Sequence, residues 1–133
     1  MNHSVLVVDA SVVLDLLARF RPEPLQALLW APGTSLVAPE LINVEVLNAL
    51  RKLDREGAIP ANRRLDLPAQ LRGLRIRTFG HELLLDGIWS LRGQLTAYDA
   101  AYVVLAAALQ APLVTRDTHL TRAVRSMIAV LSP

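Results

Sequence analysis

Val5-Leu6-Val7-Val8-Asp9-Ala10-Ser11-Val12 decides the fold. Its uninterrupted apolar run reads as a buried strand, and the acid that ends the run opens a polar turn. The arrangement returns late in the chain, where Leu113-Val114-Thr115-Arg116 runs into Asp117. In an open parallel α/β sheet, ligands bind in the crevice outside the carboxyl ends of the strands, where side chains from separate strand-to-helix turns converge. Two carboxylates so placed point to a metal site. Glu45 and Asp99, each near the start of an apolar helical pattern, can join them.

Between those strands the chain alternates. Ser11 is expected to cap a short helix through about residue 19; Pro22 and Pro24 punctuate the connection to a short helix at 25–30, and a strand at 36–37 lies between Gly33 and Pro39. The longest helix is expected over 40–56. Ile42, Val46, Ala49, Leu50 and Leu53 keep helical spacing there, Arg51, Lys52 and Arg55 complement the dipole at its end, and Gly57 stops it. Residues 60–73 read as a helix or a pair of turns broken at Pro68, 74–79 as a strand, and 82–91 as an amphipathic helix. Thr96 caps a very apolar helix at 97–109, followed by a strand at 113–115, a helix at 120–125 and a last strand at 127–131. Strands alternating with helices imply an α/β fold whose mainly parallel central sheet is covered by helices on both faces. No internal repeat interrupts the pattern.

A length of 133 residues with 53% hydrophobic content suits one domain over 1–133. Mean hydropathy is +0.35, yet the longest apolar stretch, residues 100–109, is well short of the ~20 residues a membrane span needs. Residues 5–8 are likewise too few for a signal-peptide core, so a cytoplasmic protein is expected. The absence of cysteine fits, and it excludes disulfides, thiolate metal sites and cysteine nucleophiles. Net charge is +2, but setting the four candidate acids aside leaves 14 bases against 8 acids, a basic body around an acidic pocket that suits a polyanion. All but one of the bases are arginine, which reflects a GC-rich genome as readily as phosphate recognition.

Each acid has a competing structural explanation. Asp9 and Asp117 follow strands and suit a helix cap or a turn. Asp99 stands at capping-box spacing after Thr96. Glu45 would be a solvated glutamate, except that it sits in the apolar half of its helix with Asn48 three residues on, where the amide can orient it. Together, at strand ends and helix starts of one sheet, the four favour a hard divalent cation, Mg²⁺ or Mn²⁺, over zinc. His3, His81 and His119 lack ligand spacing and read as ordinary polar residues.

Four motifs complete the reading: Asp9-Ala10-Ser11-Val12, Pro39-Glu40-Leu41 leading to Glu45-Val46-Leu47-Asn48-Ala49-Leu50, Tyr98-Asp99-Ala100-Ala101-Tyr102, and Thr115-Arg116-Asp117. In order and spacing, over nearly the whole chain, they resemble the PIN-domain ribonucleases of the VapC toxin type. The resemblance implies a PIN-like three-layer sandwich, an acidic quartet of Asp9, Glu45, Asp99 and Asp117 that holds the metal and carries catalysis, and Ser11 and Thr115 as hydroxyls near it. It implies endonucleolytic cleavage of RNA to a 5′-phosphate and a 3′-hydroxyl, and a cognate antitoxin laid along an apolar groove, with residues 47–53 and 14–20 as candidates. From the residues alone, RNA and DNA are not distinguished.

Four carboxylates exceed what a general acid–base pair needs and suit one or two divalent ions, which neutralise the cluster and activate water. Arg116, beside Asp117, is expected to contact substrate, with arginines in 63–77 extending a basic groove. The helix at 97–109 is apolar all round, which suggests a homodimer covering it. Two alternatives stay open: a non-catalytic α/β binding module whose acids are caps, and an aspartyl-phosphate phosphotransfer domain, for which the sole lysine, Lys52, falls on a helix and not at a strand end.

Overall fold

The computed structural model describes residues 4–19 and 24–133. Strands β1 (Ser4–Val8), β2 (Thr34–Pro39), β3 (Arg77–Phe79), β4 (Leu113–Val114) and β5 (Val130–Leu131) form one sheet in the order β3-β2-β1-β4-β5. Every pair is parallel, with Val7 opposite both Val37 and Leu113. The chain steps outward from β1 through β2 to β3, then crosses back to lay β4 on the other side of β1. Because parallel crossovers are right-handed, this reversal puts the early and late helices on opposite faces, and it makes the gap between β1 and β4 the topological switch point.

The helices are α1 (Ala10–Leu14), continued by a π-helical turn at Asp15–Arg19, α2 (Leu25–Leu29), α3 (Leu41–Arg55), α4 (Leu67–Gly73), α5 (Leu85–Ser90), α6 (Ala97–Leu109) and α7 (Thr118–Val124). Val7, Val8, Leu113 and Val114, the residues of the two central strands nearest the switch point, have no solvent exposure. Val12, Val13, Ile42, Val46 and Val124 pack with them from the helices. None of the described helices is long and apolar enough to cross a membrane.

Several expected boundaries move. The strand expected over 74–79 keeps only Arg77–Phe79, because α4 runs to Gly73 and Arg75 takes a left-handed conformation. Pro68 does not break its segment; it lies in the first turn of α4, where a missing N–H costs nothing. The last strand shrinks from 127–131 to Val130–Leu131. Gly57, at φ +67, ends α3 as its position suggested.

The cap of α1 is Asp9 and not Ser11: Asp9 has extended backbone and its carboxylate accepts from the Val12 N–H. The middle of α6 needs no second chain to cover it. Ala100, Ala101, Tyr102, Val103, Leu105 and Ala106 are buried by the sheet and by α5, which comes close because Gly87 has no side chain; a Cβ there would lie 2.6 Å from Val104 Cγ1. His3, Phe20 and Pro22 lie outside the described residues.

Candidate active site

Asp9 leaves the end of β1 and Thr115 the end of β4, so the two meet at the switch point. Thr115 is fully buried and its hydroxyl donates to Asp9 Oδ2. On the other oxygen, Oδ1, Asp9 accepts from Ser11 Oγ at 2.5 Å and from the Val12 N–H at 3.2 Å. Each hydroxyl also accepts: Ser11 Oγ takes the Arg116 N–H and Thr115 Oγ1 takes the Asp117 N–H, both at 3.0 Å. A hydroxyl has one proton to donate, so spending it on Asp9 leaves its lone pairs for these amides. The β1 and β4 turns are thereby tied together through Asp9, and both hydroxyls named from the sequence do touch it.

Asp117 caps α7, its Oδ1 accepting from the Leu120 N–H at 3.0 Å, while Oδ2 has no hydrogen-bond partner among the described residues. Asp99 sits in the first turn of α6, and Thr96 Oγ1 accepts from its backbone N–H at 3.2 Å. That half of the capping box uses the main chain of residue 99 and leaves the role of its carboxylate open. Glu45, on α3, accepts a 2.6 Å hydrogen bond from the hydroxyl of Tyr102 on α6.

The acids feel one another. Burial holds the Asp9 carboxyl above its ordinary pKa, the Asp117 charge adding to this while the Ser11 and Thr115 hydroxyls and the Val12 N–H oppose it. Glu45 is raised by burial and then by Asp99 and Asp9, against the Tyr102 bond. Asp99 is raised by burial and by Asp117, against Thr96. The four are thus linked by repulsion. Among the described residues, however, no three His, Asp or Glu side chains are close enough together to form a ligand set as they stand. The donor chemistry suits a hard divalent cation, whose charge would offset the repulsion that keeps the acids apart.

Two expected roles shift. Asn48 does not orient Glu45: it is exposed, and the partner of Glu45 is Tyr102. Helical side chains lean toward the N-terminus, which carries Glu45 away from a residue one turn later. The Tyr102 signal was legible only as spacing, since residue 102 follows Asp99 by three and therefore shares its helix face. Arg116 is mostly covered, with its guanidinium 3.1 Å from Asp15.

Further along, Arg63 donates to the Leu16 carbonyl, Arg64 pairs with Asp54 at 3.0 Å and Arg77 lies over the Phe79 ring. The bases on the side of Glu45 are instead Arg51, Lys52 and Arg55, which with Glu45, Asn48, Ala49 and Glu56 line a groove of about 710 Å³ along α3. Lys52 lies in the last turn of that helix, not at a strand end as phosphotransfer would require. His81 has a structural task that its sequence did not reveal: its Nε2 accepts from the Leu41 N–H at 3.1 Å, capping α3 where Glu40 makes no side-chain cap.

The PIN domain family model matches residues 6–125. Among curated relatives, the chain is 36% identical over 125 residues to Ribonuclease VapC3 of Mycobacterium tuberculosis, covering 94% of this chain and 91% of that protein. It is 38% identical over 120 residues to VapC ribonuclease Mb0985 of Mycobacterium bovis, covering 88% and 89%. Among solved structures, a toxin–antitoxin complex from Klebsiella pneumoniae contains a chain of the same fold, at TM-score 0.67 and 20% identity, with 96% of this chain and 97% of that one covered. Motifs, sheet order and these similarities agree: the chain belongs to the PIN domain family, among the VapC-type ribonucleases.

Proposed function

We propose that this chain is a divalent-metal-dependent endoribonuclease and the toxin of a type II toxin–antitoxin pair. The observation that carries the reading is the placing of Asp9 and Asp117 on the two turns joined through Thr115 at the switch point between β1 and β4, with Glu45 and Asp99 coupled to them through their charges. Asp9, Glu45, Asp99 and Asp117 would hold Mg²⁺ or Mn²⁺. Such an ion, when bound, lowers the pKa of water and offsets charge developing on a phosphodiester. Ser11 and Thr115 keep Asp9 in one orientation. Arg51, Lys52 and Arg55, on the groove that begins at Glu45, supply positive charge for an RNA backbone.

The antitoxin reading is supported by a second groove, about 550 Å³, in which Leu47, Leu65, Leu67 and Pro68 present apolar surface between the charged side chains of Arg51, Asp54, Arg64 and Asp66; Leu65 is 76% exposed. Of the other expected stretch, Leu14 is half-buried and Phe20 lies outside the described residues. A homodimer, no longer motivated by α6, finds support in Leu85 and Trp89, exposed one turn apart on α5. A single domain is supported by one hydrophobic cluster reaching from Leu6 to Val124. A cytoplasmic location would bring the chain to its RNA.

The binding-module alternative draws on the fact that Asp9 and Asp117 are helix caps. One experiment separates the two. Purified protein should cut single-stranded RNA to 5′-phosphate ends with Mg²⁺ or Mn²⁺, lose this in excess chelator, and lose it as Asp9→Asn. Cleavage that persists in chelator, or none with either ion, would sink the proposal.

A further inference from the structure

Tyr102 is 3% exposed, its ring held in the core by α6 while its hydroxyl emerges at Glu45 Oε1, 2.6 Å away. That length lies in the range of charge-assisted O–H···O⁻ bonds, in which the phenol donates and the carboxylate accepts. We propose that Tyr102 is a positioning residue that selects the orientation of the Glu45 carboxylate toward the acidic site. The inference rests on the reading of Glu45 as a metal ligand.

Glu45 has three rotatable bonds and sits half-buried on α3, where Asp99 and Asp9 repel it. Repulsion by those charges favours orientations of the carboxylate that turn it away from them, toward solvent. The hydroxyl of Tyr102 opposes that: it is the only hydrogen-bond donor to Glu45 among the described residues, and it comes from a ring whose own freedom packing has removed. Engaging Oε1 leaves Oε2 available for a cation. Tyr102 also follows Asp99 by three residues, so one face of α6 offers a candidate ligand and the group that aims another. For packing alone phenylalanine would serve equally, and a buried hydroxyl without an acceptor is unfavourable.

The test uses the full chain with Tyr102→Phe, reading Mn²⁺ affinity by calorimetry, kcat and KM on RNA, and the urea midpoint. Hydrogen-bond partners of metal ligands typically change affinity or activity by about 10–100-fold. Mn²⁺ affinity and kcat are therefore expected to fall by roughly tenfold or more with KM unchanged. In a Glu45→Gln background the same substitution should add no further loss of Mn²⁺ affinity. A purely structural tyrosine would move the urea midpoint and leave the Mn²⁺ affinity of the folded protein alone. Mn²⁺ affinity and kcat within twofold of wild type overturn the inference, as does an undiminished further loss in the Glu45→Gln background. Should Tyr102→Phe fail to fold, para-fluorophenylalanine at position 102 keeps the ring and its length without a donor, and the same readings decide. Wild type that binds no Mn²⁺ overturns the metal reading itself, and the inference with it; wild type that binds while Tyr102→Phe matches it overturns the inference alone.

Discussion

The Thr115 hydroxyl donates to Asp9 Oδ2 across 106 residues of chain. This bond and that of the Arg116 N–H to Ser11 Oγ join two turns that share no local sequence, and Thr115 is wholly shielded from solvent.

Thr115→Val keeps the shape but deletes the donated proton and strands the Asp117 N–H. Removing one partner from a buried hydrogen bond costs about 1–3 kcal/mol. Urea unfolding at neutral pH should register a loss of that size, with Thr115→Ser recovering most of it. An unchanged midpoint for the valine variant would mean that the bond contributes nothing.

Asp99→Asn should stabilise the metal-free protein, increasingly so as pH rises. An acid whose folded pKa is raised binds its proton more tightly in the native state, so its contribution is greatest below the unfolded pKa and is lost as pH climbs through the folded one. The gap in melting temperature between the variant and wild type should therefore widen from about pH 4 to pH 7 in chelator. A gap that narrows over that range would show Asp99 to be stabilised by ionisation. Cleavage should disappear in the same variant; activity retained alongside lost stability would make Asp99 a capping residue only.

Asp15 and Arg116 form a partly covered pair, with side-chain exposures of 14% and 26%. Exposed ion pairs contribute about 0.2–1 kcal/mol, so this one should reach the top of that range or exceed it in a double-mutant cycle. If Arg116 instead serves RNA, Arg116→Ala will raise KM and leave stability unchanged.

Gly87→Ala sets two effects against each other. Alanine improves helix propensity by about 1 kcal/mol. Its Cβ, however, meets a branched valine and no flexible chain end, and overpacking costs about 1–3 kcal/mol. The clash should win, lowering the urea midpoint; a rise would mean that α5 and α6 have slack.

His81→Ala removes the acceptor for the first amide of α3. Loss of a helix cap costs about 1 kcal/mol, and the urea midpoint should fall accordingly. No change would mean that water replaces the imidazole.

By itself, the sequence determined the alternation of strands and helices, the long α3 with its glycine stop, the capped α6, and the acids that end β1 and β4. These are local properties: apolar period, capping chemistry and strand-end acids act within a few residues of themselves, and the motif order carried the family. Tertiary structure decided whatever depends on which segments become neighbours. The return of β4 to the side of β1 brought the Thr115 hydroxyl onto Asp9 Oδ2 and the Arg116 N–H onto Ser11 Oγ. A hydrogen bond between residues 57 apart in the chain made Tyr102 of α6, rather than Asn48, the partner of Glu45 on α3. Arg116 turned to Asp15, and α5 closed over α6 through the gap at Gly87. Hydrogen bonds and close packing act over a few ångströms and ignore separation along the chain, so no sequence period encodes them.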